Sequence, residues 1–414
     1  MTSLRLDPAE NAWLEAPDTR RVMDALSPGE SDRARFVGGC VRNAILGRAV
    51  DDIDIATQLE PAEAAQALEA AGIKVVPTGI AHGTVTAVVD GKPFEITSLR
   101  KDVETFGRRA VVAYSTDWRE DAQRRDFRLN AIYARRDGTL YDPFGGVEDA
   151  RSGLVVFIGE ARDRIAEDHL RILRFYRFNA WYGVAIDPDG QAACAQMAAT
   201  LRDLSAERVW KELKKLLSAP DPRAAVIAMH EGHALKEVLP VRLDIHLFAG
   251  IINADRGKSR EPDALVRLAA LVGREGNAVE SVMQRMKASN AEKARAGAMT
   301  ARAGEPRVRP GMTDTMRARA LYALGADAVM ARLRLDEAEG LGEADADLAA
   351  ARVWRRPRFP VTGRDLVAAG FKPGPGLGET LARLEAEWID SAFSLGKAAL
   401  VARAKDDPAR GGSA

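Results

Sequence analysis

The chain has 414 residues, more than a single hydrophobic core usually organises, so we expect two to four compact units. Hydrophobic residues make up 46% and charged residues 29%, a composition that excludes a disordered chain and favours a soluble folded protein. The 60 basic and 60 acidic residues balance, so total charge neither supports nor excludes a nucleic-acid partner. Cys40 and Cys194 are too few for a disulfide framework or, alone, a zinc site.

The sequence shows neither a membrane-spanning segment nor an export signal. No apolar run approaches the roughly 20 residues that span a bilayer, and the first residues lack the apolar stretch of a signal peptide. We therefore expect a cytoplasmic protein with no membrane partner. The sequence leaves the oligomeric state open.

Short β-like runs alternate with turns and short helices up to about residue 150, as in an α+β domain. Asp90-Gly91 and Asp137-Gly138 each carry the signal for a tight hairpin turn, which predicts a largely antiparallel or mixed sheet. Pro61 and Gly72 mark the start and the end of a short helix. The predicted strands are 35–37, 52–56, 84–89, 94–97, 130–134 and 139–141.

Helical patterns dominate after residue 150. Ser205 is a good N-cap for a helix with one apolar stripe, which consists of Val209, Trp210, Leu213, Leu216 and Leu217. A basic stretch with Gly and Pro, residues 303–311, interrupts the later helices and predicts a loop or a boundary. Arginines gather there and at 352–358, where a solvated surface is the ordinary explanation.

The segment from Phe36 to Ala56 carries the strongest chemical pattern. Residues two apart on a strand share a face, so Asp52 and Asp54 should project together, while Ile53 and Ile55 face the core. Two carboxylates so close repel each other unless a cation lies between them, and hard oxygen ligands suit Mg²⁺. Gly38 and Gly39 follow a strand and precede a short helix, where free backbone N–H groups could hold a phosphate, with Arg42 adding charge.

Six motifs follow one another along the chain: GGCVRN, DDIDIAT, RRDFRLNAIY, DPFGG, EDHLRILR and ERVWKELKKLL. With these motifs in the family's order, the sequence resembles the class II tRNA nucleotidyltransferases and bacterial poly(A) polymerases, within the DNA polymerase beta superfamily. The resemblance runs from Phe36 to Leu217, with a fainter similarity at 363–378. It implies an α+β protein, with a mixed-sheet nucleotidyltransferase head (1–146) followed by an all-α neck (147–217), body (218–350) and tail (351–414). It also implies addition of C, C and A to the 3′ end of tRNA from CTP and ATP, with Mg²⁺.

By this resemblance Asp52 and Asp54 are the catalytic aspartates that bind the metal. Glu95 lies on a later strand, facing opposite to Phe94 and Ile96, where it is either a third catalytic carboxylate or an exposed sheet glutamate. The resemblance also implies that the incoming nucleotide contacts the segment containing Arg124, Asp126 and Asn130. Two positions depart from the family: Arg128 replaces a threonine, and Asn43 replaces an aspartate whose loss should weaken the orientation of Arg42.

Asp168 and Arg171 are predicted to lie on one helical stretch and to share a face. A salt bridge between them is the ordinary explanation. The resemblance implies instead that the pair reads the base edge of the nucleotide, with Arg174 orienting it. The carboxylate can accept a hydrogen bond from the exocyclic amino group of adenine or cytosine, and the guanidinium can donate one to a ring acceptor. Guanine and uracil present the opposite polarity on their Watson–Crick edges, so a buried donor or acceptor would be left unpaired.

Several other interpretations stay open. Residues 100–108 are polar and predict a mobile loop, which the resemblance connects with the change from CTP to ATP. His230 and His233 are three apart rather than four, so the sequence does not favour a zinc site there. The alternatives to CCA addition are a poly(A) polymerase, an enzyme that adds only part of CCA, and a noncatalytic RNA-binding protein.

Overall fold

The structure is a computed structural model that describes residues 4–29, 31–76, 79, 83–106, 109–274 and 277–405, with the backbone alone for 102–106 and 109–112. The chain divides into two compact units, residues 1–240 and 241–414. The first unit contains the sheet and the second is helical. In the part of the chain that the structure describes, none of the helices has both the length and the apolar character that a bilayer crossing needs.

The first unit is built on a seven-stranded mixed sheet with the order β3-β4-β5-β2-β1-β8-β9. All neighbouring strands are antiparallel except β2 and β5, which run parallel. The strands are β1 Ala34–Val37, β2 Asp54–Thr57, β3 Lys74–Val76, β4 Thr84–Val89, β5 Lys92–Ser98, β6 Arg100–Phe106, β7 Arg109–Tyr114, β8 Tyr133–Ala134 and β9 Leu140–Tyr141. Strands β6 and β7 form a separate antiparallel pair.

The turn between β4 and β5 shows how the local sequence sets this topology. Asp90 and Gly91 both have positive φ, 50° and 81°, as the two central residues of a tight hairpin turn do. Val89 therefore pairs directly with Lys92. The resulting register buries Phe94 and Ile96 on one face and leaves Glu95 exposed on the other, as the sequence predicted.

Helices cover the sheet and complete the first unit. They are α1 Pro17–Leu26, α2 Gly39–Ile45, α3 Pro61–Ala70, α4 Trp118–Gln123, α5 Gly146–Ser152, α6 Ala161–Glu167, α7 Leu170–Tyr182, α8 Pro188–Gln196, α9 Ala206–Leu217, α10 Arg223–Glu231 and α11 Ala234–Val238. Ser205 is the N-cap of α9, although its side chain makes no capping hydrogen bond. All five residues of the predicted stripe on this helix are buried, and α9 packs against α7.

The second unit contains helices alone among its described residues. They are α12 Ile245–Gly257, α13 Ala264–Val272, α14 Ala278–Arg285, α15 Asn290–Met299, α16 Asp314–Leu324, α17 Ala326–Ala338, α18 Asp345–Val353, α19 Gly363–Ala368, α20 Pro375–Asp390 and α21 Lys397–Lys405. One small core surrounds Trp388, whose ring contacts those of Tyr322, Phe359 and Phe393. The basic stretch 303–311 is a loop between α15 and α16, as predicted, and the unit boundary lies elsewhere, at residue 240.

Three sequence predictions of local structure within residues 1–130 are wrong. Asp52 precedes β2 instead of lying in it, because the strand pairing begins at Asp54. Asn130 ends a 3₁₀ turn, Arg128–Asn130, and the strand starts only at Tyr133. Arg100 and Asp102 belong to β6, where the sequence predicted a loop, while Gly107 and Arg108 lie outside the described residues.

Candidate active site

A glycine bend brings the start of α2 against the first strand carboxylate. Gly38 has a φ of +72°, a conformation that favours glycine, and it connects β1 to α2. A Cβ atom on Gly38 would lie 3.6 Å from Oδ2 of Asp54 and 3.9 Å from Nη1 of Arg125. Any larger side chain here would fill the space between the bend and the carboxylate. Gly39 follows as the first residue of α2.

Three carboxylates belong to this end of the sheet. Asp54 and Glu95 are direct partners in the parallel pairing of β2 with β5, so their side chains lie on the same face. Asp52 lies two residues before Asp54. Ile53 and Ile55, between and after them, are buried, at 3% and 0% exposure. Asp52 and Glu95 are exposed and Asp54 is half-buried.

The electrostatics of Asp54 fit a cation-binding position. Burial, followed by the negative charge of Glu95, raises the pKa of Asp54 to about 6, and Asp52 adds to this effect. Arg125 and Arg42 oppose it without cancelling it. A divalent cation among these oxygens would relieve the repulsion, and carboxylate oxygens are the ligands that hard cations prefer.

A tighter acidic group lies in the second unit. Among the described residues, Glu337, Glu343 and Asp345 form the one group of three whose possible ligand atoms all lie within 4.8 Å of one another. Lys258 pairs with all three of these carboxylates, and Arg260 pairs with Glu337 and Asp345. Because two cations already pair with these carboxylates, we interpret this group as an ion-pair network. Asp52, Asp54 and Glu95 do not meet that distance criterion as a trio.

Asp121 is a site residue that the sequence analysis missed. Its carboxylate, 1% exposed, accepts hydrogen bonds from Arg124 Nε (2.8 Å), Arg125 Nε (3.3 Å) and the Tyr133 hydroxyl (2.7 Å). Burial alone would raise the pKa of Asp121, but Arg125 and Arg124 outweigh burial and lower it to about 2. The spacing of Asp121 to Arg124 and Arg125, three and four residues, was the available signal.

A chain of hydrogen bonds joins four of the predicted nucleotide-binding residues. Arg42 Nη1 donates to Asn130 Oδ1 (2.6 Å), and Asn130 Nδ2 donates to Asp126 Oδ1 (3.0 Å). The other oxygen of Asp126 accepts from Arg174 Nε at 2.7 Å. Arg42, Asn130 and Asp126 are each 7% exposed. The amide of Asn130 therefore lies between a buried cation and a buried carboxylate and hydrogen-bonds both.

The prediction that Asp168 and Arg171 lie on one helical stretch is wrong, and the two residues do not form a salt bridge with each other. The helix breaks between them, since Asp168 is the C-cap of α6 and Arg171 lies in α7. Asp168 Oδ2 accepts from Arg208 Nη2 at 2.7 Å, whereas Arg171 Nη1 donates to Glu167 Oε2 at 2.5 Å. Arg171 also donates to the carbonyl oxygen of Arg124 (3.0 Å), next to the segment described above.

Arg174 and Arg128 form their hydrogen bonds with residues outside the pair Asp168 and Arg171. Arg174 hydrogen-bonds Asp126, and its charge also interacts with Asp168. Arg128 starts the 3₁₀ turn, and its N–H donates to the carbonyl of Val156 (3.0 Å). Its side chain lines a cleft next to α8.

A strand, a glycine bend and carboxylates on paired parallel strands are the arrangement expected of a nucleotidyltransferase, and comparison with known proteins shows that class. Three protein families match the chain. Residues 34–156 match the poly A polymerase head domain, and residues 183–243 match the RNA and SrmB-binding site of polymerase A. Residues 259–404 match tRNA nucleotidyltransferase domain 2. The chain is 35% identical over 385 residues to CCA tRNA nucleotidyltransferase 1, mitochondrial, of Danio rerio, covering 88% of this chain and 85% of that protein. The chain belongs to the family of CCA-adding tRNA nucleotidyltransferases.

Other relatives agree with this assignment. The CCA-adding enzyme of Limosilactobacillus fermentum is 32% identical over 378 residues, which cover 86% of this chain and 88% of that enzyme. The solved structure of the Bacillus stearothermophilus CCA-adding enzyme in complex with CTP superposes with a TM-score of 0.73 at 26% identity. That match covers 94% of this chain and 98% of the other.

The opposite pKa shifts of Asp54 and Asp121 predict opposite effects on stability. The folded pKa of Asp54 lies above its ordinary value, so its stabilising contribution is present at low pH and is lost as the pH rises through about 6. Without divalent metal, Asp54→Asn should therefore match the parent near pH 4 and be more stable above pH 7, by about 1–2 kcal/mol. Urea unfolding across this range measures the difference.

Asp121→Asn is the matched comparison. The pKa of Asp121 is lowered in the folded state, so its contribution is present above pH 4 and is lost only as the pH falls through about 2. Its replacement should destabilise the protein by about 2 kcal/mol or more from pH 5 to 8, because two partly buried arginines lose their carboxylate. Equal pH profiles for the two variants would contradict the charge assignment of this site.

Proposed function

We propose that this protein adds C, C and A, without a nucleic-acid template, to the 3′ end of tRNA from CTP and ATP. The observation that carries the proposal is the meeting of Asp54, Glu95 and the Gly38 bend at one end of the sheet. The mitochondrial and lactobacillar relatives are named as CCA enzymes, and solved relatives include complexes with CTP and, from Thermotoga maritima, with tRNA. The Thermotoga structure is 18% identical, so it supports the fold alone.

Asp52 and Asp54 would hold Mg²⁺, with Glu95 beside them as a third carboxylate. When bound, the metal lowers the pKa of the attacking 3′-hydroxyl and neutralises charge on the leaving pyrophosphate. The backbone after Gly38 leaves room for the triphosphate, because no Cβ occupies the space beside Asp54. Protein residues then need only bind and orient the reactants, and the reaction forms no covalent enzyme intermediate.

The hydrogen-bonded chain from Arg42 to Arg174 would fix the ribose and phosphates of the incoming nucleotide. Arg42 and Arg174 supply positive charge at its two ends, while Asp126 and Asn130 offer acceptors and a donor for sugar hydroxyls. Arg124 and Arg125 add further positive charge, and both form ion pairs with Asp121. These residues contact groups common to all nucleotides, so base selection must lie elsewhere.

Asp168 and Arg171 would select the base. Each carboxylate oxygen has more than one lone pair, so Asp168 can accept from an exocyclic amino group while Arg208 holds it. Arg171 is anchored by Glu167 and by the Arg124 carbonyl, which fixes the direction of its remaining donors. This arrangement would orient the pair through separate partners instead of through a mutual salt bridge.

Four functional segments would correspond to head 1–146, neck 147–217, body 218–350 and tail 351–414, with body and tail binding tRNA. A basic segment made of the last turn of α18 and the connection to α19 supports tRNA binding there. Its four arginines are exposed, and none has a carboxylate partner among the described residues; they are Arg352, Arg355, Arg356 and Arg358. The cytoplasmic location stays a prediction, since the Danio rerio relative is named as mitochondrial.

An extension assay tests the function directly. With Mg²⁺ and tRNA ending before C, after C or after CC, the protein should add C, C and A in order, and chelation of Mg²⁺ should stop addition. Asp52→Asn and Asp54→Asn should each lower kcat by about a thousandfold or more, because the metal loses a ligand. Asp51→Asn, an exposed neighbour of the same charge, is the matched control and should keep near-parental activity.

Other products would identify the alternatives. Runs of adenylate on unrelated RNA would indicate a poly(A) polymerase, and addition that stops after CC or begins only there would indicate a partial enzyme. Tight RNA binding without any incorporation would indicate a noncatalytic RNA-binding protein, and it would contradict the proposal.

Base selection has its own test in Asp168→Ala. Loss of the acceptor should reduce the preference for CTP and ATP over UTP and GTP by about 10- to 100-fold in kcat/KM, the effect of one or two unpaired groups. Asp163→Ala removes an exposed carboxylate from α6 and should leave the preference unchanged. An unaltered preference in Asp168→Ala would exclude Asp168 as the base reader.

The basic segment predicts a tRNA-specific defect. Replacing its four arginines by Gln should raise KM for tRNA about tenfold or more near 0.1 M salt, and reduce the salt dependence of RNA binding, while KM for CTP stays constant. The matched control removes four arginines that do pair with carboxylates, the exposed Arg302, Arg319 and Arg403 and the half-buried Arg383. An equal defect in the control would show a general charge effect instead of a binding surface.

A further inference from the structure

Arg42 is buried in the active-site wall without an acidic hydrogen-bond acceptor. Its side chain is 7% exposed, and its guanidinium donates to three neutral oxygens within the described structure. These are Oδ1 of Asn130 (2.6 Å), the hydroxyl of Tyr182 (2.7 Å) and Oδ1 of Asn43 (3.2 Å). The positive charge of Arg42 is therefore solvated by dipoles, and no ion pair holds it in place.

Aromatic rings supply the rest of its surroundings. The guanidinium carbon lies 4.1 Å from the ring centroid of Tyr182 and 5.3 Å from that of Phe178. Cation–π contact of this kind is strongest where water is excluded, as it is here. The Nε atom of Arg42 is buried without a hydrogen-bond partner, so the guanidinium keeps unused donor capacity.

The Tyr182 hydroxyl links Arg42 to the neutral side chain of Asn43. It accepts from Arg42 Nη2 and donates to Asn43 Oδ1 at 3.3 Å. A carboxylate at position 43 could hold Arg42 by charge alone, whereas the neutral amide makes a weaker bond to a guanidinium. Tyr182 is the last residue of α7, the helix that also carries Arg171 and Arg174. Its hydroxyl thus connects the end of that helix to α2.

We propose that Tyr182 is a positioning residue that compensates for the neutral side chain at position 43 by holding Arg42 in its nucleotide-binding orientation. The proposal rests on the proposed function, because it assigns Arg42 to the phosphates and sugar of the incoming nucleotide. Arg42 contacts neither base-reading residue, so Tyr182 affects the binding of CTP and ATP equally.

Calorimetric binding of CTP and ATP with Mg²⁺ to the full chain tests this proposal without requiring turnover. Tyr182→Phe keeps the ring and removes the hydroxyl, and it should weaken both nucleotides by roughly 5- to 10-fold, since a hydrogen bond to a charged group is lost. In the extension assay KM should rise by a similar factor, with kcat within about twofold of the parent. Tyr141→Phe, whose ring faces Arg35 at 4.9 Å, is the control and should change nothing.

Rescue distinguishes positioning from general damage. Asn43→Asp should bind nucleotides about as well as the parent, and adding Tyr182→Phe to it should then cost less than about twofold, because a carboxylate holds Arg42 without the hydroxyl. The proposal would be overturned if Tyr182→Phe reduced nucleotide affinity equally in the parent and in the Asn43→Asp variant. It would also be overturned if Tyr182→Phe alone did not reduce nucleotide affinity. A parent protein that binds CTP but adds nothing to tRNA would contradict the proposed function while leaving this comparison interpretable.

Discussion

The parallel pairing of β2 with β5 is the constraint on which the site depends. It is the one parallel contact in the seven-stranded sheet, and it places Asp54 directly beside Glu95. The bend at Gly38 then closes over Asp54 from the neighbouring strand β1. Acidic groups that would repel each other are held together by backbone hydrogen bonds and by the burial of Ile53 and Ile55 beneath them. The fold thus maintains a concentration of negative charge that a divalent cation can neutralise.

A second arrangement connects the sheet to the helices that follow it. Asn130 is polar at both ends of its amide, so it can lie between the cation of Arg42 and the carboxylate of Asp126 without leaving either unpaired. Arg174, from α7, completes the same chain. Because the residues proposed to bind the nucleotide come from α2, the segment 126–130 and α7, their spacing depends on the packing of α7 against α9, where Arg177 pairs with Glu212.

The parts predictable from sequence were those with strong local signals. The Asp90-Gly91 turn fixed one hairpin, and alternation in β5 placed Glu95 on the face opposite Phe94. The apolar stripe of α9 also followed from its period. The break between α6 and α7 was missed because residues 160–182 carry an uninterrupted helical pattern, without Gly or Pro. Partners distant in sequence, such as Arg208 for Asp168 and Tyr182 for Arg42, depend on tertiary packing that a single sequence does not reveal.

The most direct test of this account is anomalous diffraction from crystals of the protein grown with CTP and Mn²⁺ in place of Mg²⁺. We expect a metal peak within coordination distance of the carboxylates of Asp52 and Asp54, with the triphosphate against the Gly38 bend. A peak at Glu337, Glu343 and Asp345 with none at the sheet, or a nucleotide bound away from Gly38, would contradict it.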